Sequence, residues 1–434
     1  MNSVWDMCAE RLRFGQLREN KKTDVLVIGG GMAGILCAYM LRRAGVDCIL
    51  VEAGRICDGI TKNTTAKITY QHGLIYGKII KTLGYERARV YLEAQTRAFD
   101  EYYRLCKEID CDYERKDSYV YSVNCRKRIE EEVKALNRLG VDAEFSDKQA
   151  LPFRFSGAVR VPNQAQFHPL KFAYKIASEL RIYENTKVLE IGPRGAKTEN
   201  GFISSEKTIV ATHFPILNKH GSYFLKMYQH RSYVLALEGA PSVCGMYVSD
   251  SDKGMSFRNY GNILLVGGGG HRTGKSGGGF AELENFVREN YEGARTVTKW
   301  ATQDCMTLDR ISYIGRYSEN TPDLYVATGF NKWGMTSSMA AAMILSDIVR
   351  GKRNDFASVF SPSRSIIHPQ LAVNILESLV GILTPRTPRC SHLGCALKYN
   401  REEHSWDCPC HGSRFTEGGE LIDNPATDDK RNMP

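Results

Sequence analysis

The N-terminal part of this 434-residue chain contains a complete βαβ pattern. Residues 24–28 form an apolar run typical of a buried parallel strand, and Gly29-Gly30-Gly31-Met32-Ala33-Gly34 follows directly. The pattern then predicts a helix over residues 32–43 and a second strand over residues 47–52, which closes on Glu52. Such glycines let the backbone approach a pyrophosphate at the helix N-terminus, and the acid can accept hydrogen bonds from ribose hydroxyls. The pattern favours a dinucleotide site over an ordinary glycine turn in an α/β protein.

A second glycine-rich segment indicates which dinucleotide is bound. Residues 324–330 form a strand that ends in glycine, and a turn at 331–334 leads into a helix of small residues at 335–349. With the motifs at 52–55, 64–67, 187–188, 208–212 and 309–311, the chain resembles the D-amino-acid-oxidase and glycine-oxidase superfamily over about residues 22–350. This resemblance implies FAD rather than NAD, with the positive helix end near the flavin pyrimidine. His213 departs from the superfamily, which usually has glycine at that place.

The resemblance also implies a set of FAD-binding residues. They are Gly29, Gly31, Met32, Ala33, Gly34, Glu52, Ala53, Arg55, Thr64, Thr65, Ala66, Val188, Ala211, Thr212, Gly329, Phe330, Trp333, Gly334 and Met335. Another glycine cluster, at residues 267–270, is not predicted to bind a second dinucleotide, because neither a suitable helix nor a strand with a terminal acid follows it. It is predicted to be a strand and turn in the substrate domain.

Two Cys/His pairs near the C-terminal end predict a metal centre. Cys390-x-His392 is followed, after 15 residues, by Cys408-x2-His411. Two thiolates and two imidazoles are thereby offered to one site. Zinc is a competing metal for this site, because short Cys and His motifs are common in zinc sites. A degenerate site without metal is a further alternative.

The spacing of these four residues resembles a Rieske [2Fe–2S] centre, in which two cysteines bind one iron and two histidines the other. The resemblance implies a disulfide between Cys395 and Cys410, as in Rieske proteins of the cytochrome bc type. Ser413 matches a serine that raises the potential in high-potential members, whereas Phe415 replaces a tyrosine that does so. We therefore expect an intermediate potential. The cluster lobe is short, and we expect it to be supported by the flavoprotein body or completed by a partner.

Together these motifs predict an α/β chain with a Rossmann-like FAD-binding domain of the DAO type, an α+β substrate domain and a small all-β Rieske lobe. The oxidoreductase part covers residues 20–352. Its FAD-binding domain is expected to be discontinuous, over 20–105, 155–225 and 300–352, and its substrate domain to cover 106–154 and 226–299. A linker with one helix, over residues 371–383, is predicted at 353–388 and the Rieske lobe at 389–434.

The sequence predicts an FAD-dependent oxidoreductase that takes a hydride from an amine or amino acid. Electrons would pass singly through the cluster to a carrier protein or quinone-like acceptor. Candidate catalytic residues near the flavin are Lys67, His72, Tyr233 and Arg316, and Arg231 or Arg258 could bind a substrate carboxylate. In one alternative, a ferredoxin feeds electrons inward to a flavin reductase or monooxygenase. In another, the protein is a redox sensor or electron-transfer subunit without turnover.

Composition excludes several other classes. The net charge of +9 is spread along the chain among 49 acidic residues, without the basic face or interleaved aromatics of a nucleic-acid-binding protein. There is no apolar run of about 18 residues for a membrane span, and no secretion signal is recognised at the N-terminus. The 13 cysteines lack the spacing of a disulfide scaffold. We therefore expect a soluble, cytoplasmic protein.

Overall fold

The computed structural model of the chain describes residues 2–217, 220–385 and 388–430. Residues 218–219 of the predicted FAD-binding domain, 386–387 of the predicted linker and 431–434 of the predicted lobe lie outside the described residues. Within the described ranges, no helix combines the length and the apolar character needed to cross a membrane.

Strands and helices are mixed along the chain up to the C-terminal lobe. The lobe contains strands alone among its described residues. The strands are β1 (Lys21–Ile28), β2 (Cys48–Val51), β3 (Lys67–Ile68), β4 (Glu114–Ser122), β5 (Glu144–Ser146), β6 (Gly157–Gln166), β7 (Ile182–Tyr183), β8 (Val188–Gly192), β9 (Gly195–Thr198), β10 (Gly201–Val210), β11 (Met227–Glu238), β12 (Met246–Ser249), β13 (Ser256–Tyr260), β14 (Ile263–Arg272), β15 (Arg295–Thr307), β16 (Tyr313–Arg316), β17 (Leu324–Thr328), β18 (Lys398–Asn400), β19 (Ser405–Asp407), β20 (Arg414–Thr416) and β21 (Leu421–Asp423). The helices are α1 (Met32–Arg43), α2 (Ile60–Asn63), α3 (Tyr76–Leu83), α4 (Tyr85–Cys106), α5 (Arg126–Arg138), α6 (Pro169–Ala177), α7 (Tyr223–Lys226), α8 (Gly279–Asn290), α9 (Gly334–Val349), α10 (Ala357–Phe360) and α11 (Pro369–Leu383).

The first sheet has the strand order β16-β17-β10-β1-β2-β7, with β8 and β9 extending it beside β10. Strand β1 runs parallel to β2 and β10, and its last four residues are buried. Helices α1 and α9 pack against each other beside this sheet. The predicted βαβ unit is confirmed, since α1 has its predicted bounds. In the register Ile28 lies opposite Val210, so the turn after β1 lies beside the residues that follow β10.

The second sheet has the order β15-β11-β14-β13-β12-β4-β6-β3, and β5 pairs with β6. Its strands are antiparallel except for the parallel pair β12 and β4. Strands β3 and β6 and the end of β15 fall within the ranges predicted for the FAD-binding domain, and they pair in this sheet. These strands pair with partners that are distant in the chain, so the local sequence pattern could not predict which sheet they join.

The glycines of residues 267–270 lie within β14, and a close approach of another backbone segment requires glycine there. Gly269 has a φ of +60°, and a Cβ on it would lie 2.2 Å from the carbonyl oxygen of Gly279. The remaining sheet, β18-β19-β20-β21, forms the small C-terminal lobe, as predicted. Helix α11 was predicted at 371–383 and precedes this lobe.

Candidate functional site

The turn between β1 and α1 is shaped by three glycines. Gly29 has a φ of +110°, and a Cβ on it would lie 2.6 Å from the carbonyl oxygen of Ala211. A Cβ on Gly34 would lie 1.8 Å from the carbonyl oxygen of Gly29, so only glycine fits at that point of α1. Gly31 differs, because a Cβ there would meet only the Thr61 hydroxyl oxygen, at 3.4 Å. The space in front of Gly31 is therefore open to a ligand.

The N-terminus of α1 is suited to an anion. Its N-cap residue, Gly31, has no side chain, and no acidic residue lies in its first turn. The Met32 N–H donates to the Thr61 hydroxyl (2.9 Å), which occupies one of the first N–H groups. The positive end of the helix dipole is otherwise left for a ligand, as in dinucleotide sites. Glu52, at the end of β2, accepts hydrogen bonds from the backbone N–H groups of Gly30 (2.7 Å) and Gly54 (2.9 Å). Burial raises the pKa of this carboxyl, and the two N–H groups oppose the rise.

A cavity of about 760 Å³ opens at this turn and reaches the second sheet. Most of the predicted FAD-binding residues line it: Gly29, Gly31, Met32, Ala33, Glu52, Ala53, Arg55, Thr64, Thr65, Val188, Ala211, Thr212, Phe330, Trp333, Gly334 and Met335. Gly34, Ala66 and Gly329 do not line the cavity but lie next to residues that do. The open space before Gly31 and the positive N-terminus of α1 fit the pyrophosphate of FAD.

The other end of the cavity is bounded by the N-terminus of α9, which also has no side-chain cap. Trp333 precedes it and stacks on His72, with ring centroids 5.1 Å apart. The His72 nitrogens contact the hydroxyls of Tyr91 (2.7 Å) and Thr336 (2.9 Å). Burial lowers the pKa of His72 to about 3, so the ring is neutral. His72 therefore supports Trp333, and its engaged nitrogens make it a poor proton donor or acceptor.

Lys67 and Tyr233 also line the cavity, whereas Arg316 does not. The Lys67 ammonium donates to the Thr65 hydroxyl (3.0 Å), and burial, with the nearby Arg258, lowers its pKa to about 7. The Tyr233 hydroxyl lies 3.0 Å from His271 Nε2, and burial raises its pKa. Arg316 is exposed at the end of β16, the edge strand of the first sheet. Its prediction as a catalytic residue is wrong for this reason.

The two arginines considered for a substrate carboxylate have other partners. Arg231 is 3% exposed and contacts the Glu403 carboxylate with Nε (3.0 Å) and Nη2. Arg258 donates from Nη1 to the carbonyls of Thr65 (2.7 Å) and Ala66 (2.9 Å). Arg231 thus binds the C-terminal lobe, and Arg258 holds the loop that bears Lys67.

Among the charged cavity residues that the sequence analysis missed are one acid and one lysine that lie close together. Asp304, on β15, and Lys332, in the turn before α9, both line the cavity. Asn331 N–H donates to the carbonyl of Cys305 (3.1 Å), which fixes this turn beside β15. Desolvation within the cavity raises the pKa of Asp304 to about 6 and lowers that of Lys332, although Lys332 is among the exposed residues. Among the described residues neither side chain has a hydrogen bond or ion pair. Asn331 and Lys332 both have positive φ values (+52° and +72°), which are unusual for residues other than glycine, and Asp304 has no sequence signal.

The predicted metal ligands meet between two similar loops of the lobe. The Cys390 N–H donates to the carbonyl of Cys395, and the Cys408 N–H to that of Ser413, both at 2.8 Å. The rings of His392 and His411 are 5.0 Å apart and nearly perpendicular. Burial lowers the pKa of His392 to about 4 and that of His411 to about 3. Both imidazoles are therefore neutral, as metal ligands must be.

The donor set fits a metal centre. His411 Nδ1 is buried and has no hydrogen-bond partner among the described residues, which leaves it available to a metal. Cys390 and Cys408 are buried as well. The sulfurs of Cys395, Cys408 and Cys410 lie within 4.8 Å of one another. The Cys395–Cys410 disulfide implied by the resemblance is not formed here, because both cysteines are free.

The lobe packs on the second sheet, as expected for so short a module. The Gln229 amide, on β11, donates to the carbonyls of His411 (3.1 Å) and Asn424 (2.6 Å). Gln303 on β15 donates to Gly412 (2.9 Å), and Arg272 on β14 donates to the carbonyl of Cys410 (3.0 Å). These bonds hold the second ligand loop to three neighbouring strands.

The lobe also forms part of the cavity wall. Residues 421–424 and 426–427 line the cavity that contains the predicted FAD-binding residues. One of these residues, Asn424, donates from its side-chain amide to the backbone carbonyls of Thr212 and Phe214, both at 2.7 Å. The predicted FAD site and the cluster lobe therefore share a wall.

Glu403 provides a pH-dependent contact between the lobe and the body. Burial would raise its pKa, but Arg231 and Arg414 outweigh that effect and the pKa is lowered. A lowered carboxyl pKa adds stability that is present above the unfolded value of about 4.3 and lost as pH falls through the folded value. We expect Glu403→Gln to destabilise the protein by ~3 kcal/mol at neutral pH, because it breaks a buried ion pair. Thermal unfolding across pH checks this.

Glu420→Gln is the matched control, since Glu420 lies exposed in the same lobe. It should unfold like the unchanged protein at every pH. The gap between Glu403→Gln and the unchanged protein should close at acid pH. A gap that stayed constant down to pH values below the folded pKa would contradict the ionic origin of the contact.

Comparisons with known proteins agree with both parts of the site. A family model described as DAO, FAD dependent oxidoreductase, matches residues 24–348, and a model of the Rieske [2Fe-2S] domain matches residues 380–434. The chain is 34% identical to YhfW of Bacillus subtilis (strain 168), a protein named for a Rieske 2Fe-2S centre, covering 98% of this chain and 96% of that protein.

More distant similarities cover the oxidoreductase part. Gamma-glutamylputrescine oxidoreductase of Escherichia coli (strain K12) is 24% identical, over 79% of this chain and 87% of that protein. The fold resembles glycine oxidase from Geobacillus kaustophilus, with a TM-score of 0.66 at 18% identity, over 80% of this chain and 99% of that one. The matched models cover both predicted cofactor sites, so the cofactors are FAD and a Rieske [2Fe–2S] cluster. The chain belongs to the DAO family of FAD-dependent oxidoreductases and carries a Rieske domain at its C-terminal end.

Proposed function

We propose that the protein oxidises an amine or amino acid at FAD and passes the electrons through the Rieske cluster to an external acceptor. FAD accepts two electrons as a hydride and a Rieske cluster accepts one electron at a time. The observation that carries this proposal is the shared wall, in which lobe residues 421–427 adjoin the predicted FAD-binding residues. The names of the amine and amino-acid relatives support the substrate class.

The cavity residues suit a substrate that contains an amino group. Asp304 offers a carboxylate to a substrate ammonium, and Lys332, close by, offers an ammonium to a substrate carboxylate. Lys67, whose pKa is lowered to about 7, could take the proton that an ammonium must lose before oxidation. We propose these three as substrate-binding or catalytic residues, and the lining residues of the predicted FAD set as its cofactor site.

The domain division follows from the same reading. We propose that the first sheet binds FAD, the second sheet forms the substrate side, and the small sheet holds the cluster. The scattered free cysteines support a reducing, cytoplasmic setting, in which the partner would be a carrier protein or a quinone-like acceptor.

Anaerobic mixing with a panel of amines and amino acids tests the proposal. We expect at least one to bleach the flavin absorbance, at a rate that rises with pH through about 7, the lowered pKa of Lys67. Lys67→Met should remove that rise, because no amine is left to accept the proton. Bleaching by a reduced ferredoxin alone would instead favour inward electron flow. Bleaching by neither would favour a sensor or an electron-transfer subunit.

A further inference from the structure

The apolar side chains of α11 face away from the protein. Leu376 is 62% exposed, Leu379 51% and Leu383 77%. All the residues of α11 that are exposed are apolar: Pro369, Ala372, Val373, Ile375, Leu376, Leu379, Val380, Ile382 and Leu383. An ordinary surface helix buries such residues and exposes polar ones, so α11 has the opposite orientation.

The polar face of α11 is fixed against the protein. The Asn374 amide donates to the carbonyl of Leu225 (3.2 Å) and accepts from Arg272 Nη1 (3.0 Å). Glu377 forms an ion pair with Lys275 at 2.6 Å. Further along, a Cβ on Gly381 would lie 2.4 Å from the Cys410 sulfur. The helix cannot rotate its apolar face inward without breaking these contacts.

The exposed apolar surface is concentrated around this helix. Of the 15 large hydrophobic residues that are exposed in the described part of the chain, nine lie between residues 367 and 393. They are Ile367, Val373, Ile375, Leu376, Leu379, Val380, Ile382, Leu383 and Leu393, here called the α11 patch. A contiguous apolar patch on a protein surface marks an interaction site.

The composition of the α11 patch decides between a protein and a lipid partner. Protein interfaces mix apolar and hydrogen-bonding groups and are enriched in Tyr, Trp and Arg. No tyrosine or tryptophan is in the patch and every exposed residue of α11 is apolar, whereas acyl chains require only apolar contact. The single acid of α11, Glu377, is neutralised by Lys275, and Arg389, just beyond the helix, donates only to backbone carbonyls of Ile382, Thr384 and Gly394, which leaves a positive charge beside the patch. This charge is complementary to an anionic lipid surface.

We propose that α11 lies flat in the surface of an anionic lipid bilayer. Its 15 residues extend about 22 Å, which is too short to span a hydrocarbon core of about 30 Å but suits a helix that lies in the interface. Leu393, between the ligand His392 and Cys395, belongs to the same patch. Binding therefore brings a cluster loop to the lipid and favours an acceptor dissolved there. That last step rests on the proposed function, whereas lipid binding does not.

Sedimentation of the holoprotein with vesicles of phosphatidylcholine and phosphatidylglycerol tests lipid binding. We expect the protein to bind these vesicles more strongly than vesicles of phosphatidylcholine alone. The triple variant Leu376→Ser, Leu379→Ser, Leu383→Ser should lower partitioning at least ~10-fold, because it removes three isobutyl groups from the lipid contact. Flavin absorbance and iron content should be unchanged, since these side chains are exposed.

The control is Val123→Ser, Leu189→Ser, Phe202→Ser, which removes exposed apolar side chains outside the patch. It should bind vesicles like the unchanged protein. Equal binding by the patch variant and the control would overturn the proposal. So would a dimer in analytical ultracentrifugation without lipid that dissociates in the patch variant, because a second copy would then cover α11. Vesicle sedimentation and analytical ultracentrifugation are both measured without turnover, so a negative result in either would not contradict the proposed oxidation.

Discussion

Replacement of Gly31 by valine is expected to abolish the retention of FAD while leaving the iron content unchanged. The backbone of Gly31 has a φ of −79°, which valine adopts readily, and the protein leaves open space around its Cβ position. The protein should therefore fold, with the valine side chain occupying the space assigned to the pyrophosphate. Absorbance near the flavin bands and iron analysis of the purified protein measure the two contents.

Gly192→Val is the matched control for this experiment. Gly192 lies at the end of β8 in the same sheet, with no neighbouring atom within 4 Å of an added Cβ among the described residues. Its variant should keep FAD. If Gly31→Val retained the flavin as well, the turn after β1 would not be the pyrophosphate site.

Replacement of Cys408 by serine is expected to remove the cluster and to abolish electron delivery. Cys408 is 1% exposed and is one of the two cysteines assigned to iron. The unchanged protein should contain about two irons per chain and give a reduced-state EPR signal of the Rieske type. We expect the variant to lose both, with a fall of at least ~100-fold in reduction of a one-electron acceptor. Bleaching of the flavin by substrate should be nearly unaffected.

Cys48→Ser is a suitable control, because the Cys48 thiol donates to the carbonyl of Ala38 (3.4 Å) and a hydroxyl can replace it. Rapid mixing of the unchanged protein provides the contrary outcome. If substrate bleached the flavin while the cluster stayed oxidised over many turnovers with oxygen as sole acceptor, the cluster would not lie on the electron path.

The sequence predicted the elements whose signals are local. Helix α1 has its predicted bounds because strand, glycine turn and helix follow one another directly. At His213, where the superfamily usually has glycine, the structure has a positive φ of +65°. Both metal-binding loops were found for the same reason, since their spacing is short. In the structure, Cys390 and Cys408 each begin a loop that is closed by a backbone hydrogen bond of 2.8 Å.

Features that depend on distant contacts were not predicted. Arg231 and Arg258 differ from ordinary surface arginines only through partners 172 and 192 residues away in the chain. Arg316 was predicted to lie near the flavin, but it is exposed at the end of an edge strand and does not line the cavity. The apolar pattern of α11 predicted a helix correctly, but nothing in that pattern indicated that the apolar face is exposed.

The buried ion pair between Arg231 and Glu403 has a consequence for how the cluster works. Swinging the lobe away would separate these charges, and breaking such a buried pair costs ~3–5 kcal/mol. The bonds from Gln229, Gln303 and Arg272 would be lost with it. The lobe is thus held in place on the oxidoreductase body, and in the proposed electron path it would act without swinging away. Electron transfer from flavin to cluster should then be independent of solvent viscosity, since no large domain rotation precedes it.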